Sequence, residues 1–115
     1  MTRRAMDMSR PAREAAAVLG QLVRMKRAEM GWTAEEAAVR ASISARTVSL
    51  IEHGSPNPSL GNVLNLAVAV GVPLFGEDDP EAYARLRFTG EQRLALLPGR
   101  VYHPREETDD ARFDF

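Results

Sequence analysis

Between residues 9 and 73 the chain is punctuated too closely for anything but short helices: capping hydroxyls, apolar-periodic stretches and glycine, proline or turn signals succeed one another four times. Ser9 can cap a first helix, Pro11 sits in the first turn, where its missing donor costs nothing, and Glu14 is read as favouring the positive helix end. Ala15, Val18, Leu19, Leu22 and Val23 then recur at helical spacing until Gly31, read as a left-handed terminator. Thr33 and Glu36 have the spacing of a capping box, so a second helix starts at Ala34, carries Ala37 and Ala38 as small packing residues and ends near Arg40. Ala41-Ser42-Ile43 is a tight turn, Ser44 caps a third helix with Val48 and Ile51 turned inward, and Gly54 ends it. Pro56 and Pro58 forbid continuation. Ser59 caps a fourth helix striped with Leu60, Val63, Leu64, Ala67 and Val70, which Gly71-Val72-Pro73 stops. The fold class expected is all-α, a bundle of four to five short helices with a C-terminal extension.

At 115 residues one small core plus tails is the working expectation. The absence of cysteine removes disulfides, thiolate metal sites and cysteine nucleophiles, and suits a reducing cytosol. His53 and His103 lie in separate segments without a nucleophile or carboxylate at motif spacing, and no glycine-rich phosphate loop occurs, so no enzyme, metal or cofactor is expected. Apolar runs such as 63 to 70, broken by Asn65, are far too short to span a bilayer, and no apolar stretch follows Arg3 and Arg4 as a signal peptide would require. No membrane partner and a cytoplasmic location follow as expectations.

The near-zero net charge hides an asymmetry. Up to Phe75 nine Lys/Arg face six acids, a net of +3, whereas beyond it six arginines face ten acids, a net of −4. A basic front and an acidic back point to two kinds of partner. Residues 1–9 read as a flexible arm, 10–75 as the helical domain, 76–103 as an extension and 104–115 as an acidic disordered tail. In the extension, Asp79-Pro80-Glu81 starts a helix with Ala82, Tyr83 and Leu86 on one side; Thr89 to Gln92 cap a further short helix through Leu97, or that stretch is a strand. Pro98-Gly99 turns, and residues 100–103 are extended.

The second and third helices, joined by a three-residue turn, have the organisation of a helix-turn-helix unit whose second helix enters the major groove. With Val48 and Ile51 inward, a rotation of about 100° per residue puts Arg46, Ser49, Leu50 and His53 on the outer face. Here the stretch LGQLVRMKRAEMGWTAEEAAVRASISARTVSLIEHGSPNPSLGNVLNLAVAVGV resembles the Xre or lambda-repressor-like family from end to end. Its marks are Arg24 and Arg27 before Gly31, Thr33, Ile43-Ser44, Thr47-Val48-Ser49, Ile51-Glu52-His53-Gly54, Pro58-Ser59-Leu60, and Leu66-Ala67 before Gly71-Val72.

The resemblance implies that Arg27 pairs with Glu52, fixing one helix against the other, and that Ser44, Ala45, Arg46, Ser49 and Leu50 occupy base-reading positions. Arg46 could take guanine O6 and N7 together or hold a phosphate; Leu50 could meet a thymine methyl or be a tolerated surface leucine. Phosphate contacts fall to the amide ends of helices two and four and to Ser44, Thr33, Thr47, Ser55 and Asn57. Arg3, Arg4 and Arg10 could follow the minor groove, or the arm has no role. Ala34 departs from the glutamine usual in the family. Trp32, Met25 and Met30 are read as core packing, against a ligand pocket as the alternative.

Residues 59–86, the LALLPGRV stretch and the acidic end DDARFDF resemble HipB-like antitoxins of type II toxin-antitoxin pairs. That likeness implies a repressor of its own operon, held at the bacterial nucleoid when DNA-bound, and a HipA-like kinase toxin as partner, with Phe113 and Phe115 as aromatic anchors in the tail. A merely solubilising tail, a free-standing repressor and a protein-interaction module are the alternatives. A homodimer on two half-sites is expected, with its interface at Val72, Leu74, Phe75, Tyr83 and Leu86.

Overall fold

The computed structural model describes residues 7–99. The expectations placed on Arg3 and Arg4, on residues 100–103, and on the tail with Phe113 and Phe115 lie outside the described residues. Five helices follow in order: α1 (Arg10–Glu29), α2 (Ala34–Ala41), α3 (Ala45–Glu52), α4 (Leu60–Val70) and α5 (Pro80–Leu96). The fold is all-α, and among the described residues only one isolated bridge, between Leu74 and Glu77, has β character. None of the described helices is long and apolar enough to cross a membrane.

The chain divides into two compact units at Pro80, later than the charge boundary at Phe75. In the first, α2 packs on α4 and α3, and α1 on α3 and α4. Their shared core is small: Val23 from α1, Ala37, Ala38 and Ala41 from α2, Val48 and Ile51 from α3, Leu66, Ala67 and Val70 from α4, closed by Val72. The alanines of α2 let its neighbours approach closely, so that helices of 8 residues can still bury a face.

Local chemistry sets the ends. Ser9, Ser44 and Ser59 accept the amide of the residue three further on, at 3.2, 3.0 and 3.1 Å. Thr33 and Glu36 close a reciprocal capping box at 3.0 and 2.8 Å. The turn after α2 places Ser42 in the left-handed region at φ 61°, and Gly71 ends α4 at φ 84°. Beyond the core, Leu74 and Glu77 exchange two backbone hydrogen bonds of 2.9 Å around Phe75 and Gly76, both at positive φ (54° and 80°), a tight hairpin turn.

Four sequence expectations need correction. Glu14 is the fifth residue of α1, and the first turn contains no acid, so it lies past the reach of the positive end. Met25 and Met30 are exposed rather than core, while Trp32 is half-buried against the core. Val72 is buried inside the four-helix unit and offers nothing to a partner. The stretch from Thr89 to Gln92 starts no new helix, because α5 runs through it as one 17-residue helix. A cap needs a preceding stop, and neither proline nor a left-handed residue precedes Thr89. Gly90 costs about 1 kcal/mol relative to alanine inside a helix. Arg87 Nη1 to Glu91 Oε2, at 2.6 Å, bridges one turn across it.

Candidate nucleic-acid interface

α2 and α3, joined by Ser42, Ile43 and Ser44, are held as one piece. Ile43 N–H reaches back to Ala38 O at 3.0 Å, which fixes the turn, while Ser44 Oγ lies 2.9 Å from Thr47 Oγ1 and accepts Thr47 N–H. The first turn of α3 is thereby preorganised.

α3 is then seated on α1 by two devices. The first is a close approach: a Cβ added to Gly20 would stand 2.5 Å from Ile51 O and 2.6 Å from Glu52 O. Only glycine allows the last carbonyls of α3 to lie so near the α1 backbone. The Cβ position of Gly54, itself at φ +76°, lies 3.3 Å from Ala17 Cα, so the seat continues past the helix end. The second device is ionic. Arg27 Nε and Nη2 donate to Glu52 Oε2 and Oε1 at 2.6 and 2.9 Å, a bidentate pair. Arg27 Nη1 donates to Trp32 O at 2.9 Å, so one guanidinium ties α1, the residue before the α2 cap and the end of α3 together.

The two side chains of the pair are 18% and 7% exposed. Hydrogen bonding to Glu52 raises the Arg27 pKa above its ordinary value, against the opposing effect of burial. A raised folded value means that the contribution is complete below the unfolded arginine range and is lost only as pH rises past the folded value. Arg27 therefore stays charged throughout the neutral range. The indole of Trp32 lies under Arg40, whose guanidinium carbon is 4.3 Å from the ring centroid, a cation–π contact.

Glu52 is the one acid in α3, and it is turned inward and neutralised. The rest of the α3 surface is a cation and neutral groups. Arg46 is exposed and makes no ion pair among the described residues. Ser49 is exposed, and Leu50 is half-buried. His53 is exposed, with Nδ1 2.7 Å from Ser49 O, an arrangement in which the Nδ1–H tautomer donates. Ala45 is half-buried against the core. Ser44 is exposed at the N-cap.

The expected phosphate ligands are spread over other elements. Thr33 caps α2 and Thr47 lies in the first turn of α3, while Arg10 is exposed at the start of α1. Ser55 Oγ accepts Asn57 N–H at 3.1 Å in the loop before α4. Thr33 and Ser55 each accept a backbone N–H, which leaves their hydroxyl protons to be donated to an anion.

The sequence reading missed Gly20 and the bond to Trp32 O. A glycine between Leu19 and Gln21, within an otherwise helical pattern, was the available signal for the first. A backbone acceptor carries no side-chain signal at all.

A family model described as a helix-turn-helix domain matches residues 18–78, more than half of the chain. Neither a curated protein nor a solved structure matches it.

Proposed function

The chain belongs to the helix-turn-helix domain family, and from that premise we propose that it is a sequence-specific transcriptional repressor that reads operator DNA with the outer face of α3. The carrying observation is Arg46: an exposed guanidinium without an ion pair among the described residues, on a helix whose one carboxylate is consumed inside. Such a group can bond a guanine edge at two points, and a good bidentate pair discriminates by roughly 1–3 kcal/mol. Ser44, Ser49 and Leu50 flank it as further base contacts, with Thr33, Thr47, Ser55, Asn57 and Arg10 on phosphate. The test begins with operator selection from a random duplex pool, followed by a salt-series titration. Arg46→Ala is expected to weaken operator binding about tenfold or more and scrambled DNA far less. Equal affinity of the parent protein for operator and scrambled duplex would overturn the reading.

One domain of this size covers few base pairs, and half-sites about one helical turn apart call for a two-fold symmetric dimer. A second partner is favoured by α5, on which Leu86, Phe88, Leu94 and Leu96 are exposed, in the acidic half of the chain. In this reading the protein is an antitoxin that restrains a HipA-like kinase toxin and represses their shared operon. Removal of residues 104–115 is then expected to lower toxin affinity while operator binding holds. Undiminished toxin affinity would take the tail out of that interface.

A further inference from the structure

We propose that the hollow between the end of α2 and α4 docks a segment of a partner protein in which one carboxylate stands beside an aliphatic or aromatic side chain. Arg40 takes the carboxylate, and Leu64, Val68 and Ala69 receive the apolar neighbour. None of these residues belongs to α3 or to α5, so the site is additional to the contacts proposed above.

The cation is held ready by its surroundings. Arg27 Nη1 fixes Trp32 through its carbonyl at 2.9 Å, the indole is half-buried against the core, and the Arg40 guanidinium carbon lies 4.3 Å from the ring centroid. An arginine ordered in this way loses less side-chain freedom when it binds. Arg40 is nevertheless exposed, and no carboxylate pairs with it among the described residues. A guanidinium on such a platform, without a counter-ion, is suited to a two-point hydrogen bond with a carboxylate. Arginine and tryptophan are also the side chains enriched where a few residues carry the energy of a protein interface.

The hollow itself decides between kinds of occupant. Its volume is about 350 Å³, and it is lined by Arg40, Ser42, Leu64, Asn65, Val68 and Ala69. Arg40, Ser42, Asn65 and Val68 are exposed, so it lies open, whereas sites for small molecules enclose roughly 70–90% of their ligand's surface. A peptide meets that opening differently: one side chain fills the hollow, its backbone finds the hydroxyl of Ser42 and the amide of Asn65, and the chain continues over Val68, which is 42% exposed. Charge limits the acid to one position. Glu35 and Glu36 line a neighbouring hollow that shares Arg40, where they repel a second carboxylate and equally the run of phosphates on a duplex.

Trp32 is the only tryptophan in the chain, so its emission reports directly on the contact with Arg40. A phage-displayed library of short random peptides, panned on the whole protein, is expected to return sequences with Asp or Glu beside a bulky apolar residue. Titrated as free peptides, they should change the Trp32 emission. Arg40→Gln and Val68→Asp should each lower their affinity about tenfold or more while circular dichroism shows the helices intact. The proposal is overturned if no selected peptide depends on both residues, or if octanoate displaces the peptides at comparable affinity, which would make the hollow a small-molecule site. It is overturned as well if Arg40→Gln reduces the salt dependence of duplex binding by about one ion, the mark of a phosphate contact.

Discussion

Each of α1 to α4 opens on a hydroxyl cap and turns a buried face to a common core, whereas α5 leaves Leu86, Phe88, Leu94 and Leu96 in solvent. The first arrangement shares one core within residues 10–72, although the stripe residues Val18, Leu22 and Leu60 stay on its outside. The second has apolar area without a matching face among the described residues of its own unit. Contiguous exposed apolar area marks an interaction surface, whereas single exposed apolar side chains do not. The difference separates residues that make the molecule fold from residues that await company, and mutations can test where that line runs.

The largest effect is expected at Glu52. Glu52→Ala leaves Arg27 without its partner at a largely covered site and should cost about 3 kcal/mol by urea unfolding. Arg27→Ala alone is also destabilising, and the double change should cost less than the sum of the two by at least about 1 kcal/mol. Strict additivity would show that the pair does not hold α3.

Next comes Gly20→Ala, a change that ordinarily strengthens a helix. Here the new methyl meets two carbonyl oxygens of α3, and overpacking of this kind costs about 2 kcal/mol. A thermal scan showing stabilisation would mean that α1 and α3 are free to move apart.

Ser42→Gly works in the opposite direction. Ser42 ends α2 at φ 61°, a conformation in which glycine carries no Cβ penalty, so the variant should gain up to about 1 kcal/mol with operator affinity unchanged. The smallest effect is expected on the other side of the comparison. Phe88→Ala, at an exposed position of α5, should move the stability of the monomeric protein by no more than about 0.5 kcal/mol. A loss of 2 kcal/mol or more would place Phe88 among the residues that make the molecule fold.

What could be read in advance follows the range of each interaction. The caps at Ser9, Thr33, Ser44 and Ser59 involve partners three residues away, so they were legible as local patterns. So was the inward placement of Val48 and Ile51, which fixes the outer face of α3 by helical geometry alone. The seat at Gly20 was not, because its meaning lies in Ile51 and Glu52, some thirty residues distant. Val72 misled in a different way: lying past the stop of the fourth helix, it was assigned to a dimer interface, yet it closes the core. The continuity of α5 was obscured because Thr89 to Gln92 has the composition of a cap, and composition does not say whether the preceding helix has stopped. Met25 and Met30 show that apolar type alone does not decide burial.

The seat of α3 has a consequence for how such a protein changes its target. Gly20, Gly54, Arg27 and Glu52 hold the helix from behind, while Arg46, Ser49 and Leu50 belong to none of those contacts. In the proposed reading, mounting and DNA contact fall to separate amino acids. Under selection the lettering on the helix can therefore be rewritten one residue at a time without re-engineering its mount. If that reading holds, a laboratory library confined to the exposed Arg46 and Ser49 would sample new DNA addresses on a chassis whose stability stays nearly constant, with half-buried Leu50 varied only at some cost.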